Sequence, residues 1–387
     1  MLLSACQTTP GPGKPSSPEP EFAGTLDALL PNLIKQEKVA GVGVAVIRDG
    51  KAVWEGYYGQ QAPGVPVSNQ TVFNTASIAK TITAETLLAL YAKKVIDIDA
   101  PIADAVRHPD LSRDPRYAQL TTRLLLGHRA GLLNWAYSYE DGRLAFAHDP
   151  DTRFSYSGAG IELAARYAEA ITGQELAKLA REEILEPADI REISLGVIPA
   201  WASDRLATPM DQAGIFRSVA ELNESLAQGT SNGAADDLLA TIPAYATFVE
   251  QLMESPWLPA ELQCVRLEVA TPQNADPVYG CPELDWLTCP EAYGHSFGWQ
   301  AFHYPGHTVL LHSGSDAGEN AFVYYSPEKR SGAVIFVNGA NGWFLMTRII
   351  EVIGDEPLLA DYFRALISTV MGRDMPPLAR TDFNSPG

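Results

Sequence analysis

Asn74-Thr75-Ala76-Ser77-Ile78-Ala79-Lys80 is the stretch on which the reading of this chain turns. It opens a helix that is apolar around most of its circumference, through Ile82, Ala84, Leu87, Leu88, Leu90, Tyr91 and Val95. A helix apolar on all sides is a buried one. Lys80 therefore falls in the first turn of a helix with little solvent to face, and lysine is rarely buried without a partner or a task. Ser77 precedes it by three residues, so both side chains share one helix face. A hydroxyl beside a desolvated amine is the arrangement of an activated serine nucleophile. A buried carboxylate paired with Lys80 is the competing explanation.

The 387 residues suffice for one large or two medium domains, and 46% hydrophobic with 19% charged content is that of a globular protein. A formal net charge of -19 repels nucleic acid and anionic lipid, so neither is an expected partner. No apolar run approaches the roughly 18 to 20 residues of a spanning helix. Leu3-Ser4-Ala5-Cys6 has the form of a bacterial lipobox, with Met1-Leu2-Leu3 reading as the remnant of a longer signal. The Pro-, Gly-, Ser- and Thr-rich residues that follow have the composition of a tether. The expectation is a lipidated Cys6 that anchors a periplasmic protein to a membrane, with residues 1–23 outside the folded body; a tail with a chance cysteine is the alternative. Cys264, Cys281 and Cys289 allow one disulfide and leave an odd thiol.

Outward from the central stretch, Leu26, Leu29, Leu30, Leu33 and Ile34 share a helical face, with Thr25 as cap and Pro31 as a kink or a start. Residues 42–48 and 51–57 read as strands joined at Asp49-Gly50, a tight-hairpin signal. From about 81 to 255 the pattern is mainly helical, with amphipathic runs at 160–171 and 176–185. Residues 225–292 are the least readable part and read as an insertion. Short strands return at 297–304, 308–313, 321–325 and 333–338, before an apolar helix over 343–353. The predicted fold is α/β (α+β): an antiparallel sheet made from both ends of the chain (about 24–75 and 293–372), flanked by helices, with an inserted mostly helical lobe (about 76–292) and a tail over 373–387.

Ser-x-x-Lys alone is a weak pattern, and a second copy, Ser326-Pro327-Glu328-Lys329, shows why. It lies between two strands with a proline inside, so it reads as an exposed turn with a solvated lysine. Two further constellations accompany the first copy: Phe154-Ser155-Tyr156-Ser157-Gly158 before an amphipathic helix, and Leu311-His312-Ser313-Gly314-Ser315 at a strand end. With Leu124-Leu-Leu-Gly-His-Arg-Ala-Gly131 and Glu186-Pro187 between them, the chain resembles the class C β-lactamase-related family of serine hydrolases. That family also holds D-Ala-D-Ala carboxypeptidases, D-aminopeptidases and carboxylesterases. The likeness spans about 24–224 and 293–355.

The resemblance implies Ser77 as nucleophile and Lys80 with Tyr156 as the proton-handling pair. It implies His312-Ser313-Gly314 as the strand edge along which substrate lies, and the Ser77 and Ser315 backbone N–H groups as the oxyanion hole. The substrate implied is a small-molecule or peptide-like acyl donor, with no cofactor. Two departures bear on which one. The family's Tyr-x-Asn is Tyr156-Ser157-Gly158 here, and the third motif opens with His312 where class C β-lactamases usually carry lysine. Both favour an esterase or D-Ala peptidase-like enzyme over a true class C-type β-lactamase; a periplasmic penicillin-binding protein without turnover is the non-enzymatic alternative. Gly-x-Ser-x-Gly and His-Glu-x-x-His are absent, which disfavours an α/β-hydrolase elbow and a zinc peptidase. His303, His307 and His312 cluster in sequence without a metal-ligand spacing. The substrate pocket is expected to draw its walls largely from residues 225–292 and the helical lobe.

Overall fold

A computed structural model describes residues 20–231, 233–273 and 280–378. Cys6 and the expected tether lie outside the described residues, as does the end of the expected C-terminal tail. The N-terminal segment forms α1 (Glu21–Gln36), β1 (Gly41–Arg48), β2 (Lys51–Ala62), β3 (Val65–Pro66) and β4 (Val72–Asn74). A single 3-10 turn, Ala76–Ile78, leads into α2 (Ala79–Ala92). The middle of the chain holds α3 (Thr122–Leu126), α4 (Gly158–Thr172), α5 (Leu176–Ala180), β5 (Ile193–Leu195), α6 (Val219–Leu222), α7 (Glu224–Gln228), β6 (Leu238–Thr241), α8 (Ile242–Glu254) and α9 (Ala260–Leu267). The last third forms β7 (Thr271–Pro272), β8 (Ala292–His295), β9 (Gln300–Tyr304), β10 (His307–Asp316), β11 (Glu319–Ser326), β12 (Ser331–Val337), α10 (Gly342–Ile353) and α11 (Pro357–Val370).

Both chain ends build one antiparallel sheet in the order β3-β2-β1-β12-β11-β10-β9-β8-β7. Its join is β1 against β12, Val42 opposite Val337 and Val46 opposite Ala333. Asp49 and Gly50 both have positive φ, 52° and 74°, as a two-residue hairpin turn matched to strand twist requires. Side-chain alternation sorts the strand residues into two cores. Val42, Val44 and Val46 pack with α1, α10 and α11 on one face. Ala45 and Ile47 face the other way, into the core shared with α2, α4 and α8. A small second sheet, β4-β6-β5, lies in the helical region.

Several details differ from the sequence reading. The first helix starts at Glu21, so Thr25 is inside it, and Pro31 is accommodated within the helix. Leu26, Leu30 and Ile34, on both sides of that proline, are buried in one core and hold the helix together across it. Val95 is past the end of α2 and exposed. Residues 225–292 are not featureless, since they supply β6, α8 and α9. Ser326 of the second Ser-x-x-Lys is buried, although Lys329 is turned away from it to Glu356 at 2.9 Å. Cys281 and Cys289 form a disulfide, and among the described residues no cysteine is a free thiol, which corrects the expected odd one.

Candidate active site

The 3-10 turn holds Ser77 at the mouth of a buried helix. Ala76, just before it, has φ 48°, a region that residues with a Cβ seldom occupy and that is found where surrounding packing enforces it. Asn74 helps: its Oδ1 accepts the Ala76 N–H at 3.1 Å, and its Nδ2 donates to Asp237 at 2.8 Å. Lys80 is fully buried. Its Nζ donates to Ser77 Oγ at 2.9 Å and to the Ala235 carbonyl at 2.6 Å. That carbonyl is fixed from behind, because Glu162 Oε1 accepts the Ala235 N–H at 2.8 Å and Thr83 Oγ1 donates to the Ala234 carbonyl at 2.6 Å. Burial pushes the Glu162 carboxyl up to about 7. Lys80 Nζ also sits over the Tyr156 ring, 4.9 Å from its centroid, so the first two sequence motifs meet.

Tyr156 stands just before the cap of α4. Ser157 caps that helix, accepting the Gly160 N–H at 3.0 Å and donating to the Leu133 carbonyl at 2.9 Å. The backbone N–H of Ser157 donates to His128 Nδ1 at 3.1 Å. Nδ1 therefore carries the lone pair and Nε2 the proton of the neutral ring. His128 lies 4.5 Å from Tyr156 between ring centroids, and His295 packs against His128 at 4.8 Å. Burial holds both imidazoles well below the ordinary histidine range, with Lys80 adding to it.

The position of the family's asparagine has a physical explanation here. A Cβ at Gly158 would lie 2.4 Å from the Trp135 ring. The indole fills the space where a longer side chain would stand. An amide arrives instead from the neighbouring loop: Asn134 Oδ1 accepts the Gly158 N–H at 2.8 Å and its carbonyl accepts the Ala159 N–H at 2.9 Å. With its oxygen so held, Asn134 lines the cleft.

The third motif comes from β10. Gly314 presses this strand against the Ser77 turn: a Cβ there would lie 2.0 Å from the Thr75 carbonyl oxygen and 3.3 Å from the Ser77 nitrogen. Only glycine allows the approach. β9 pairs with β10 from His307 to Leu311, which leaves His312 to Asp316 without a β9 partner on that edge. Such an edge is a ready surface for an extended ligand. His312 is buried, and its Nδ1–H donates to the Ser313 carbonyl at 2.7 Å. Burial and the nearby Lys80 push it down to about 3, against the pull of that hydrogen bond. Its Nε2 has no hydrogen-bond partner among the described residues.

Ser77, Tyr156, His312, Ser313 and Ser315 thus line one cleft of about 370 Å³, with Lys80 bonded to Ser77 and Gly314 packed against the Ser77 turn. Sequence reasoning missed Asn134, Gln273 and His295 in its lining. It also assigned no role to His128, although that residue lies in the quoted segment 124–131. The expected walls are corrected in part. The helical lobe supplies Asn134, Phe154 and Tyr156, but among the described residues Gln273 is the contribution of 225–292, while β9, α10 and α11 with the Met371 that follows it supply Phe302, Trp343, Phe363, Leu366, Ile367 and Met371. No group of three or more His, Cys, Asp or Glu among the described residues is placed to hold a metal ion. His303 and His307 bond separately to the Leu267 carbonyl and to Glu356.

Comparison with known proteins shows the family and the fold. The Beta-lactamase family model matches residues 26–352, and the chain belongs to that family. It is 23% identical over 350 residues to a Beta-lactamase of Pseudomonas fluorescens, covering 81% of this chain and 92% of the other. It is 30% identical over 204 residues to Esterase/beta-lactamase LipL of Mycobacterium tuberculosis, covering 49% and 46%. The class C beta lactamase structure from Rhodobacter sphaeroides superposes with a TM-score of 0.64 at 15% identity, over 91% of this chain and 99% of that one.

Proposed function

We propose that the protein is a serine hydrolase that cleaves esters or related acyl compounds through an acyl-enzyme at Ser77. The observation that carries this is the Lys80 Nζ–Ser77 Oγ hydrogen bond inside a desolvated turn, with the Tyr156 ring against the same amine. In the proposed reaction Ser77 Oγ adds to the substrate carbonyl while its proton passes to the Lys80–Tyr156 pair. The oxyanion rests on the Ser77 and Ser315 N–H groups, at the junction that Gly314 makes possible. The C–O bond to the leaving alcohol breaks as that pair returns the proton. Water then cleaves the acyl–Ser77 bond, and the balance is ester plus water to acid plus alcohol.

The esterase reading is favoured over efficient β-lactam hydrolysis by two features: Trp135 occupies the space beside Gly158, and the third motif carries an uncharged imidazole rather than an ammonium group. Export and anchoring through Cys6 remain part of the proposal, resting on the lipobox alone. Ser77 Oγ is expected to displace fluoride from the phosphorus of a fluorophosphonate probe, leaving one adduct that peptide mass mapping places there. Lys80→Ala should abolish hydrolysis of p-nitrophenyl acetate, while Lys329→Ala should not. Labelling elsewhere, or unchanged turnover in Lys80→Ala, would sink the reading.

A further inference from the structure

The cleft continues well beyond the candidate catalytic residues, and its two ends differ in chemistry. From Ser77 it runs past the open edge of β10 to α11, where Phe363, Leu366, Ile367 and Val370, with Met371 just after the helix, form one wall. No Lys, Arg, Asp or Glu is among the described residues lining it. Val370 and Met371, 56% and 52% exposed, carry the apolar wall on to its outer end. An apolar trough that continues from a nucleophile is a place for the part of a substrate that leaves water on binding.

Next to the other end, behind the described residues that line the cleft, carboxyl groups gather. Ser315 is followed by Asp316, which pairs across the hairpin with Glu319, and Asp236 follows the Ala235 that holds Lys80. Lys80, the cation nearest the reacting centre, is already bonded to Ser77 and the Ala235 carbonyl. His312, where a cation could have met an anionic substrate, is buried and makes its donor bond to the Ser313 carbonyl. A substrate carboxylate would find no free counter-charge among the described residues lining the cleft, and carboxyl groups beyond the strand end.

Resting on the hydrolase reading, we infer that the natural substrate is an uncharged lipophilic ester whose hydrocarbon limb lies along α11, and that anionic acyl donors, β-lactams and D-Ala-D-Ala peptides among them, are poor substrates.

Burial favours long chains by roughly 0.8 kcal/mol per methylene that leaves water, about a fourfold gain in kcat/KM for each. The test compares p-nitrophenyl acetate, pentanoate and octanoate for an acyl limb, and ethyl with octyl acetate for an alcohol limb. A third arm sets p-nitrophenyl pentanoate against the mono-p-nitrophenyl ester of glutaric acid, similar in length but anionic. Assay at pH 8.5 lies above the values, about 7 and about 8, to which burial raises Asp236 and Glu319. We expect kcat/KM to rise at least tenfold with chain length in one series, and the glutarate ester to fall at least tenfold below pentanoate. In the double variant Val370→Asp/Met371→Asp the long-to-short ratio should fall at least tenfold, while Val370→Leu/Met371→Leu keeps it. Both positions are exposed, so folding should survive. A flat response in both series, a ratio indifferent to the aspartates, or equal rates on glutarate and pentanoate would overturn the inference and leave the hydrolase reading intact. No acetate turnover together with no fluorophosphonate adduct at Ser77 would overturn both.

Discussion

At the scale of single residues, Gly158 shows how a missing side chain is a property of its neighbours. Asparagine at this point would have to share space with the Trp135 indole, 2.4 Å from where its Cβ would stand. Gly158→Asn should therefore not bring the chain closer to a β-lactamase. It should overpack the Trp135 loop, lowering stability by about 1–3 kcal/mol in urea unfolding and leaving nitrocefin turnover unimproved. A stable variant with raised nitrocefin turnover would show that the indole yields freely. His312 belongs to the same scale. Depressed to about 3, it stays uncharged across the working pH range, so the Ser77 end of the cleft has no histidine charge to lose between pH 5 and 8.

At the scale of elements, α2 does more than carry Lys80. Glu85, one turn further on, is fully buried in what reads as an apolar helix. Its carboxylate accepts from Arg266 Nη1 at 3.0 Å, Trp257 Nε1 at 2.9 Å and Trp299 Nε1 at 3.2 Å. Arg266 in turn donates to Ser255 Oγ at 2.7 Å. One carboxylate thus ties α2 to α9, to the residues following α8, and to the approach to β9. Glu85→Ala strands a buried guanidinium and should cost about 3–5 kcal/mol by chemical denaturation. A loss under 1 kcal/mol would mean that water reaches Arg266 in place of the carboxylate.

What was legible in the sequence was local. The Asp49-Gly50 hairpin, the Ser77–Lys80 face and the strands of the C-terminal third each declare themselves within a dozen residues. Arg266 and Glu85 are far apart in the chain, so their pairing leaves no periodic trace, and Glu85 reads as one polar letter in an apolar run. Asn134 and His295 were hidden for the same reason. α11 is different: Pro357 at its first turn and the spacing of Leu359, Tyr362, Phe363 and Ile367 are ordinary helix signals. Reading them would have placed the α11 wall of the cleft.

At the scale of the whole molecule, buried titrating groups should shape the dependence of stability on pH. Glu319 is raised to about 8, chiefly by burial and then by its acidic neighbours, with Asp236 and Glu162 at about 7. Between an ordinary carboxyl value and these points the folded state binds more protons than the unfolded chain. Stability therefore falls as pH rises through that window and levels above about 8. The depressed histidines act oppositely: the unfolded chain takes up protons below about 6.5 while the folded one does not, so stability falls as pH drops from there. The two effects oppose one another in mild acid, and the alkaline limb belongs to the carboxyls. Glu319→Gln should flatten the loss of melting temperature between pH 6.5 and 8.5 expected of the parent protein. Equal losses in both would assign that limb elsewhere.

The seam between β1 and β12 has a consequence for how the chain is made. Val42, Val44 and Val46 emerge early during synthesis, but their partner strand is nearly the last to appear, and Arg48 meets Asp355 at a separation of 307 residues. Closing so long a loop is slow, and an unpaired apolar strand is prone to find other partners while it waits. The Ser77 turn is likewise unfinished until Gly314 has been delivered from the far end of the chain. The candidate site therefore cannot assemble until β10 has been made, and the exposed strand carries its aggregation hazard through that interval.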